Sequence, residues 1–245
     1  MAELKPRQEA GQRFQPFLDE LASLGSEKIH SVHLVGSALT ADFDPKISDI
    51  NSVVVLHRMD LKFLQSLAPL GKKYGKRGIA APLIMTPGYV LDSLDVFPIE
   101  FLNIKLFHAT LMGEDIFHDI AIAPEDLRQQ CERELKVKLI SLRQGYLASS
   151  GEGNFLRKGF LSSFAGYIPL FRAILVLLGE EVPAHFSEVL IRLEESTAIS
   201  ATAFRKVHEI RRRRKKPSTA EFNAIFEQYY GAIEQFGELV NGLEI

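Results

Sequence analysis

The sequence predicts an α+β protein: a mixed sheet with flanking helices, followed by an all-α helical bundle. Three observations carry that expectation. Up to about residue 120, short β-type runs alternate with helical patterns. From Pro124 onward, the apolar residues recur only at helical spacing. The change falls near residues 118–124, which divides the chain into domains at 1–120 and 121–245. The chain has 245 residues, 46% of them hydrophobic and 24% charged, enough apolar material to bury a core in each half.

The elements follow in order. Phe14, Phe17, Leu18, Leu21 and Leu24 predict a helix over 8–24, with Gly25 as its stop. A strand over Ile29–Val35 ends at Gly36-Ser37. After a polar turn holding Asp42, Asp44 and Pro45, a second strand starts near Asp49 and continues to Leu56. Leu61, Phe63, Leu64, Leu67 and Leu70 predict a helix over 60–74, and Gly75 and Gly78 bracket a loop. Residues 79–85 form a third strand. Thr86 caps a short helix with Pro87 as its first residue. A fourth strand is expected over 97–105, with Pro98 near its start. A long helix then covers 124–149, and a turn follows at Gly151-Glu152-Gly153. A second helix is expected over 154–178, bent at Pro169 and stopped by Gly179. Three more span 186–197, 200–213 and 218–243, the last opened by Ser218 with Glu221 in capping-box position.

One segment carries chemistry. Val35-Gly36-Ser37 closes the first strand, and Ser48-Asp49-Ile50-Asn51 opens the second. Gly36 has no Cβ, so the chain can turn sharply there and admit a ligand close to the backbone. Backbone amides of such a turn can cradle phosphate oxygens, and the Ser37 hydroxyl adds a donor. Residues two apart on a strand share a face, so Asp49 and Asn51 project together. Oxygen donors in that position suit Mg²⁺, which keeps places for substrate phosphates. Glu100, an acid in the apolar run 97–101, is the candidate for a third carboxylate and general base.

This pattern resembles the nucleotidyltransferase superfamily that includes DNA polymerase beta, kanamycin nucleotidyltransferase and the minimal nucleotidyltransferases. The resemblance spans residues 28–118 and includes Met112-Gly113-Glu114-Asp115-Ile116, similar to a turn that follows the last strand in bacterial members. It implies transfer of a nucleoside monophosphate from an NTP such as ATP to a hydroxyl acceptor. Asp49 and Glu100 would be catalytic, Gly36, Ser37 and Ser48 would bind nucleotide, and Asp49, Asn51 and Glu100 would hold Mg²⁺. The family expects an acid where Asn51 stands. Asn keeps the shape but removes a charge, which implies impaired or slow catalysis unless another acid, such as Asp42, Asp44 or Glu114, substitutes or the exchange belongs to one lineage of a still active group. The alternative on the same fold is a pseudoenzyme: a noncatalytic nucleotide-binding or protein-interaction module, antitoxin-like. Ligands would lie in a cleft between the two halves.

Other features argue for little chemistry. A net charge of −2 gives no global attraction to nucleic acid or anionic membrane. The basic run at 211–216, ended by Pro217, fits a solvated helix end, so nucleic acid is not expected. Residues 1–14 lack a signal-like apolar run, and the most apolar stretch, 164–178, is too short to span a bilayer and contains Arg172. A cytoplasmic protein without membrane partners is expected, with a second copy or a protein partner left open. A single cysteine, Cys131, excludes an internal disulfide framework. The seven histidines show no familiar metal-ligand spacing. Arg143, Tyr146 and Lys105 are weak candidates for phosphate contact, and Phe155, Phe160, Phe164 and Phe171 read as core.

Overall fold

A computed structural model of the chain describes residues 4–148, 164–213 and 217–245. It separates into two compact units, Met1–Ile122 and Ala123–Ile245. The first is a mixed α/β unit with a four-stranded sheet, and the described part of the second is helical.

The sheet contains β1 (Ile29–Val35), β2 (Asn51–Leu56), β3 (Leu83–Met85) and β4 (His108–Gly113), in spatial order β3-β2-β1-β4. β1 is antiparallel to both β2 and β4, whereas β2 and β3 are parallel. The parallel pair needs a crossover, supplied by helix α2 (Leu61–Gly75). The Asp60 carboxylate caps α2 by accepting from the amides of Lys62 and Phe63. Phe63, Leu67, Leu70 and Tyr74 form its buried stripe. Helix α1 (Gln8–Gly25) packs against it: the Tyr74 hydroxyl donates to the Pro16 carbonyl at 2.9 Å and to Glu20 at 2.7 Å.

Strand alternation sorts the two faces of the sheet. Val35, Val53 and Val55 pack with Val90 of helix α3 (Pro87–Leu91), Phe101 and Ile104 of helix α4 (Pro98–Leu106), and Phe117 and Ile120 of the following segment. Val32, Leu34, Val54 and Leu56, on the opposite face, are fully buried as well.

The structure corrects one element. Residues 98–106 form a helix, not a strand, with Pro98 at its first turn. Pro98 needs no intrahelical partner there and its fixed φ starts the helix. The fourth strand lies just beyond, at His108–Gly113. The third is shorter than expected, reduced to Leu83–Met85 with an isolated bridge at Ile79, and Pro82 between them has no N–H to donate.

The second unit contains α5 (Pro124–Ala148), α6 (Tyr167–Leu177), α7 (Phe186–Thr197), α8 (Thr202–Arg213) and α9 (Thr219–Asn241). Tyr167, Phe171, Phe204, Tyr229 and Phe236 form its buried aromatic centre, with Phe204 and Tyr229 ring centroids 4.4 Å apart. The Ser218–Glu221 capping box is present. Pro169 falls in the first turn of α6, where an amide would have no helical partner, so it does not interrupt the helix. Phe164 and Phe171 are buried, while the turn at 151–153, Phe155 and Phe160 lie outside the described residues. Among the described residues no helix is long and apolar enough to cross a membrane.

Gly113 shows how tightly β1 and β4 are joined. Its φ is +77°, and a Cβ there would overlap the His30 carbonyl oxygen. Gly113→Ala is expected to destabilise the first unit by roughly 2–4 kcal/mol, combining backbone strain with overpacking. Urea unfolding monitored by circular dichroism checks this.

Candidate functional site

The segment around Ile50 places the candidate residues. Ile50 is fully buried. Its amide donates to the Gly78 carbonyl at 2.9 Å, and its carbonyl accepts from the Ala80 amide at 3.0 Å. With Ile50 turned inward, Asp49 and Asn51 on either side point outward, and both are exposed. Asn51 pairs with Val35, so the Gly36 turn begins beside it. Gly36 has φ +74°, and nothing lies within 4 Å of where its Cβ would stand. The backbone is therefore open to a ligand at that point. The Gly36 amide itself is held by the Phe107 carbonyl at 2.9 Å.

Gly36, Ser37, Asp49 and Asn51 thus share one end of the β1–β2 pair. Ser48 has a local role: its hydroxyl accepts from the Asp44 amide at 3.0 Å and closes the 44–48 turn. Asp44 in turn accepts from the Lys46 amide. Glu114 lies next to His30, at the opposite end of β1 from Gly36. Glu100 does not come from a strand. It sits in the first turn of α4 on the helix's exposed side, while Ile99, Phe101, Leu102 and Ile104 are buried. Neither strand flanking β2 carries an acid: β1 reads Ile-His-Ser-Val-His-Leu-Val and β3 reads Leu-Ile-Met. Lys105 donates to the Ile120 carbonyl at 2.7 Å, tying α4 to the segment after β4. In the second unit, Arg143 donates to the Tyr230 hydroxyl at 2.8 Å and pairs with Glu234, and Tyr146 stacks on Phe226. Both therefore pack α5 on α9.

Two features have no sequence motif. The first is Arg13 of α1. Its guanidinium donates to the Arg77 carbonyl through Nε and Nη2, at 2.9 and 2.6 Å, and to the Pro45 carbonyl through Nη1 at 2.9 Å. Arg13 thereby clamps the two loops on either side of Asp49. A Cβ on Gly78 would stand 2.5 Å from Arg13 Nη2 and 3.9 Å from Asp49 Oδ1, which puts the clamp beside the carboxylate.

The second is a histidine cluster on the β1–β4 pair. His33 is fully buried in the middle of β1. Its ring nitrogens meet the Thr110 hydroxyl at 3.0 Å and the Ser31 hydroxyl at 2.7 Å. His108, opposite Val35, meets the Ile104 carbonyl through Nδ1 at 2.9 Å and both Asp115 oxygens through Nε2 at 2.9 and 3.0 Å. Burial pushes the His33 imidazole down to about 4, with nearby His108 lowering it further and Asp115 opposing. For Asp115, partial burial works upward, but the His108 hydrogen bond and charge prevail and hold it below the usual carboxylate range. The only advance sign of this cluster was a polar ring within an apolar strand.

No protein-family model matches the chain, and no curated protein sequence matches it. Among solved structures, the fold is similar to spectinomycin adenyltransferase AAD(9) from Enterococcus faecialis, determined with ATP and spectinomycin. The TM-score is 0.56 at 13% identity, over 92% of this chain and 98% of that one. At that identity the likeness is one of fold. It covers both units, beyond the 28–118 stretch on which the sequence resemblance rested.

Two measurements test these arrangements. Arg13→Met is expected to cost about 1.5–3 kcal/mol by removing charge-assisted bonds to backbone carbonyls. Faster amide exchange at Ile50 and Ala80 would report the loosened clamp. The His33 value lies below the ordinary 6.5, so the unfolded chain takes up the proton first as pH falls. Stability from this group is full above about pH 6.5, declines as pH falls toward 4 and levels off below, by about 3 kcal/mol in all. Denaturation midpoints between pH 4 and 7 in chelator-containing buffer, for wild type and His33→Phe, check it. The variant should lose that slope.

Proposed function

We propose that the chain binds a nucleoside triphosphate at the Gly36-Ser37 turn and transfers its nucleoside monophosphate to a hydroxyl acceptor, at a rate limited by Asn51. The observation that carries this is the outward pair Asp49 and Asn51 flanking buried Ile50, next to the open backbone at Gly36. The similar fold belongs to an adenyltransferase solved with ATP, which makes ATP the first nucleotide to test.

In this reading, the Gly36-Ser37 turn receives the phosphates, because its backbone leaves room and its hydroxyl can donate. The acceptor oxygen attacks the α-phosphorus, pyrophosphate leaves with the electron pair of the broken P–O bond, and the acceptor's proton passes to a base. Glu100, on the exposed side of α4, is the carboxylate we assign to that proton. The donor set fits Mg²⁺: Asp49 supplies one carboxylate and Asn51 a neutral oxygen, and magnesium is commonly held by one or two carboxylates plus substrate phosphates. When bound, it would neutralise charge on the phosphates.

A second reading has its own support. Asn51 is neutral and neither flanking strand carries an acid, an arrangement suited to holding a nucleotide without turning it over. Calorimetric titration of ATP and GTP, with and without Mg²⁺, separates the two when combined with release of labelled pyrophosphate. Wild type is expected to bind ATP with weak Mg²⁺ dependence, and Asp49→Ala to remove that dependence. Asn51→Asp should strengthen the Mg²⁺-dependent part about tenfold or more, since it restores a charged ligand. Glu100→Gln should lower turnover by about 10²-fold with binding intact if it is the base. Binding with no turnover, even in Asn51→Asp, would leave the noncatalytic reading standing. No nucleotide binding in either protein would refute both.

A further inference from the structure

We infer that His33, His108 and Asp115 form a binding site for a divalent transition-metal ion of the zinc class, separate from the Asp49–Asn51 pair. A ligand atom from each lies within 4.8 Å of the other two. Asn51, Val35 and His108 stand side by side across three strands, so His108 is two strand spacings, roughly 10 Å, from Asn51. The nearly buried Val35 lies between them.

The hydrogen bonds of His108 carry the inference. Nδ1 faces the Ile104 carbonyl, which can only accept, so Nδ1 holds a proton. In a neutral ring Nε2 is then an acceptor, yet it points at both carboxylate oxygens of Asp115, at 2.9 and 3.0 Å. An acceptor facing a carboxylate needs a cation between them, either a second ring proton or a metal. The backbone carbonyl on Nδ1 is the usual outer partner of a metal-bound histidine, fixing both tautomer and ring orientation. Asp115 is oriented in the same way, by the amides of Phe117 and His118 at 3.1 and 3.2 Å.

His33 supplies the third ligand. Metal binding requires a neutral imidazole, and the buried His33 ring is neutral at ordinary pH. One of its nitrogens turns to the ion, while the other keeps its hydroxyl partner on Ser31 or Thr110. Two nitrogens and one carboxylate oxygen match a three-ligand site with an open fourth position. Ligands on a tetrahedral zinc stand roughly 3.4 Å apart, so the His108–Asp115 contact need open by only a few tenths of an ångström. The side chain of Asp115 is 38% exposed and gives the ion access from solvent, whereas that of His108 is 8% exposed. Phe117 packs edge-on against both histidine rings and covers the inner side.

The test is calorimetric titration of ZnCl₂ into the full, tag-free chain after chelator treatment, with Co²⁺ absorption as an independent report of nitrogen ligation. One ion per chain is expected. His108→Gln and Asp115→Asn should each weaken binding about tenfold or more, at least as much as the loss of an outer partner does. Asp115→Asn keeps the shape of the side chain and guards against a folding failure in the other variant, and circular dichroism monitors both. Asp49→Ala should leave the affinity unchanged. Absence of Zn²⁺ uptake by wild type, equal affinity in Asp115→Asn, or loss of the ion in Asp49→Ala would each overturn the assignment. In the first two cases the cluster is an ordinary ion pair beside a satisfied histidine, and in the third the ion sits at Asp49.

Discussion

The pairing of Ile50 with residues 78–80 decides what the rest of the first unit can present. Its side chain is fully buried and its two backbone groups bond to Gly78 and Ala80, so the register at the start of β2 has no freedom. A slip of one residue would bury Asp49 and Asn51 and expose Ile50, removing a carboxylate from water without a partner. The surrounding turns serve the same constraint. Arg13 fastens the loops on both sides of Asp49, Ser48 closes the turn before it, and Gly78 adopts a positive φ that brings its carbonyl to Ile50. Substituting Gly78 would push on the Arg13 guanidinium directly, so the clamp and the turn act as one device.

β1 imposes a second constraint because it is covered on both faces and paired along both edges. Six of its seven residues are buried, and two of those, Ser31 and His33, are polar. Buried polar groups must find partners, and here they find each other: Ser31, His33 and Thr110 form a chain of hydroxyl and imidazole contacts across β1 and β4. The His108 ring lies edge-on to that of His33 and meets the last carbonyls of α4 and Asp115. These contacts therefore link the central strand, the edge strand, α4 and the segment after β4. Phe117 and Ile120 of that segment also share an apolar cluster with Val35 of β1, Val53 of β2 and Phe101 of α4.

Much of this was legible from residue types. The α+β class, the first two strands, the caps at Thr86 and Ser218 and the outward pair at 49 and 51 all follow from local rules, because each depends on neighbours in sequence. Residues 97–105 misled because Ile99, Glu100 and Phe101 alternate like a strand. Pro98 suits the start of a strand as well as that of a helix, and here it starts a helix, in the same way that Pro87 does. Buried Leu102 beside Phe101 was the discriminating sign, since adjacent buried residues suit a helix face better than a one-sided strand. Arg13 and the histidine cluster were invisible for a different reason. Arg13 meets Arg77 across 64 positions and His33 meets Thr110 across 77, and no local pattern encodes such pairings.

The electrostatics of the β2 end follow from what is missing there as much as from what is present. Asp49 is the single acid of the outward pair, and β1 and β3 add none. The nearby guanidinium of Arg13 faces backbone carbonyls. Two unit charges 4 Å apart near a protein surface interact by about 4 kcal/mol. A second carboxylate at position 51 would therefore set a strong repulsion against any phosphate unless a metal ion neutralised it. Asn51 removes that repulsion together with the metal affinity that a charge would confer. A phosphate approaching Gly36 then meets open backbone, a hydroxyl and one carboxylate rather than two. Under the proposed function, an amide rather than an acid at position 51 would shift the balance from metal-enforced binding toward recognition by backbone and hydroxyl donors. On that proposal, nucleotide retention and nucleotide turnover are separate properties of the site.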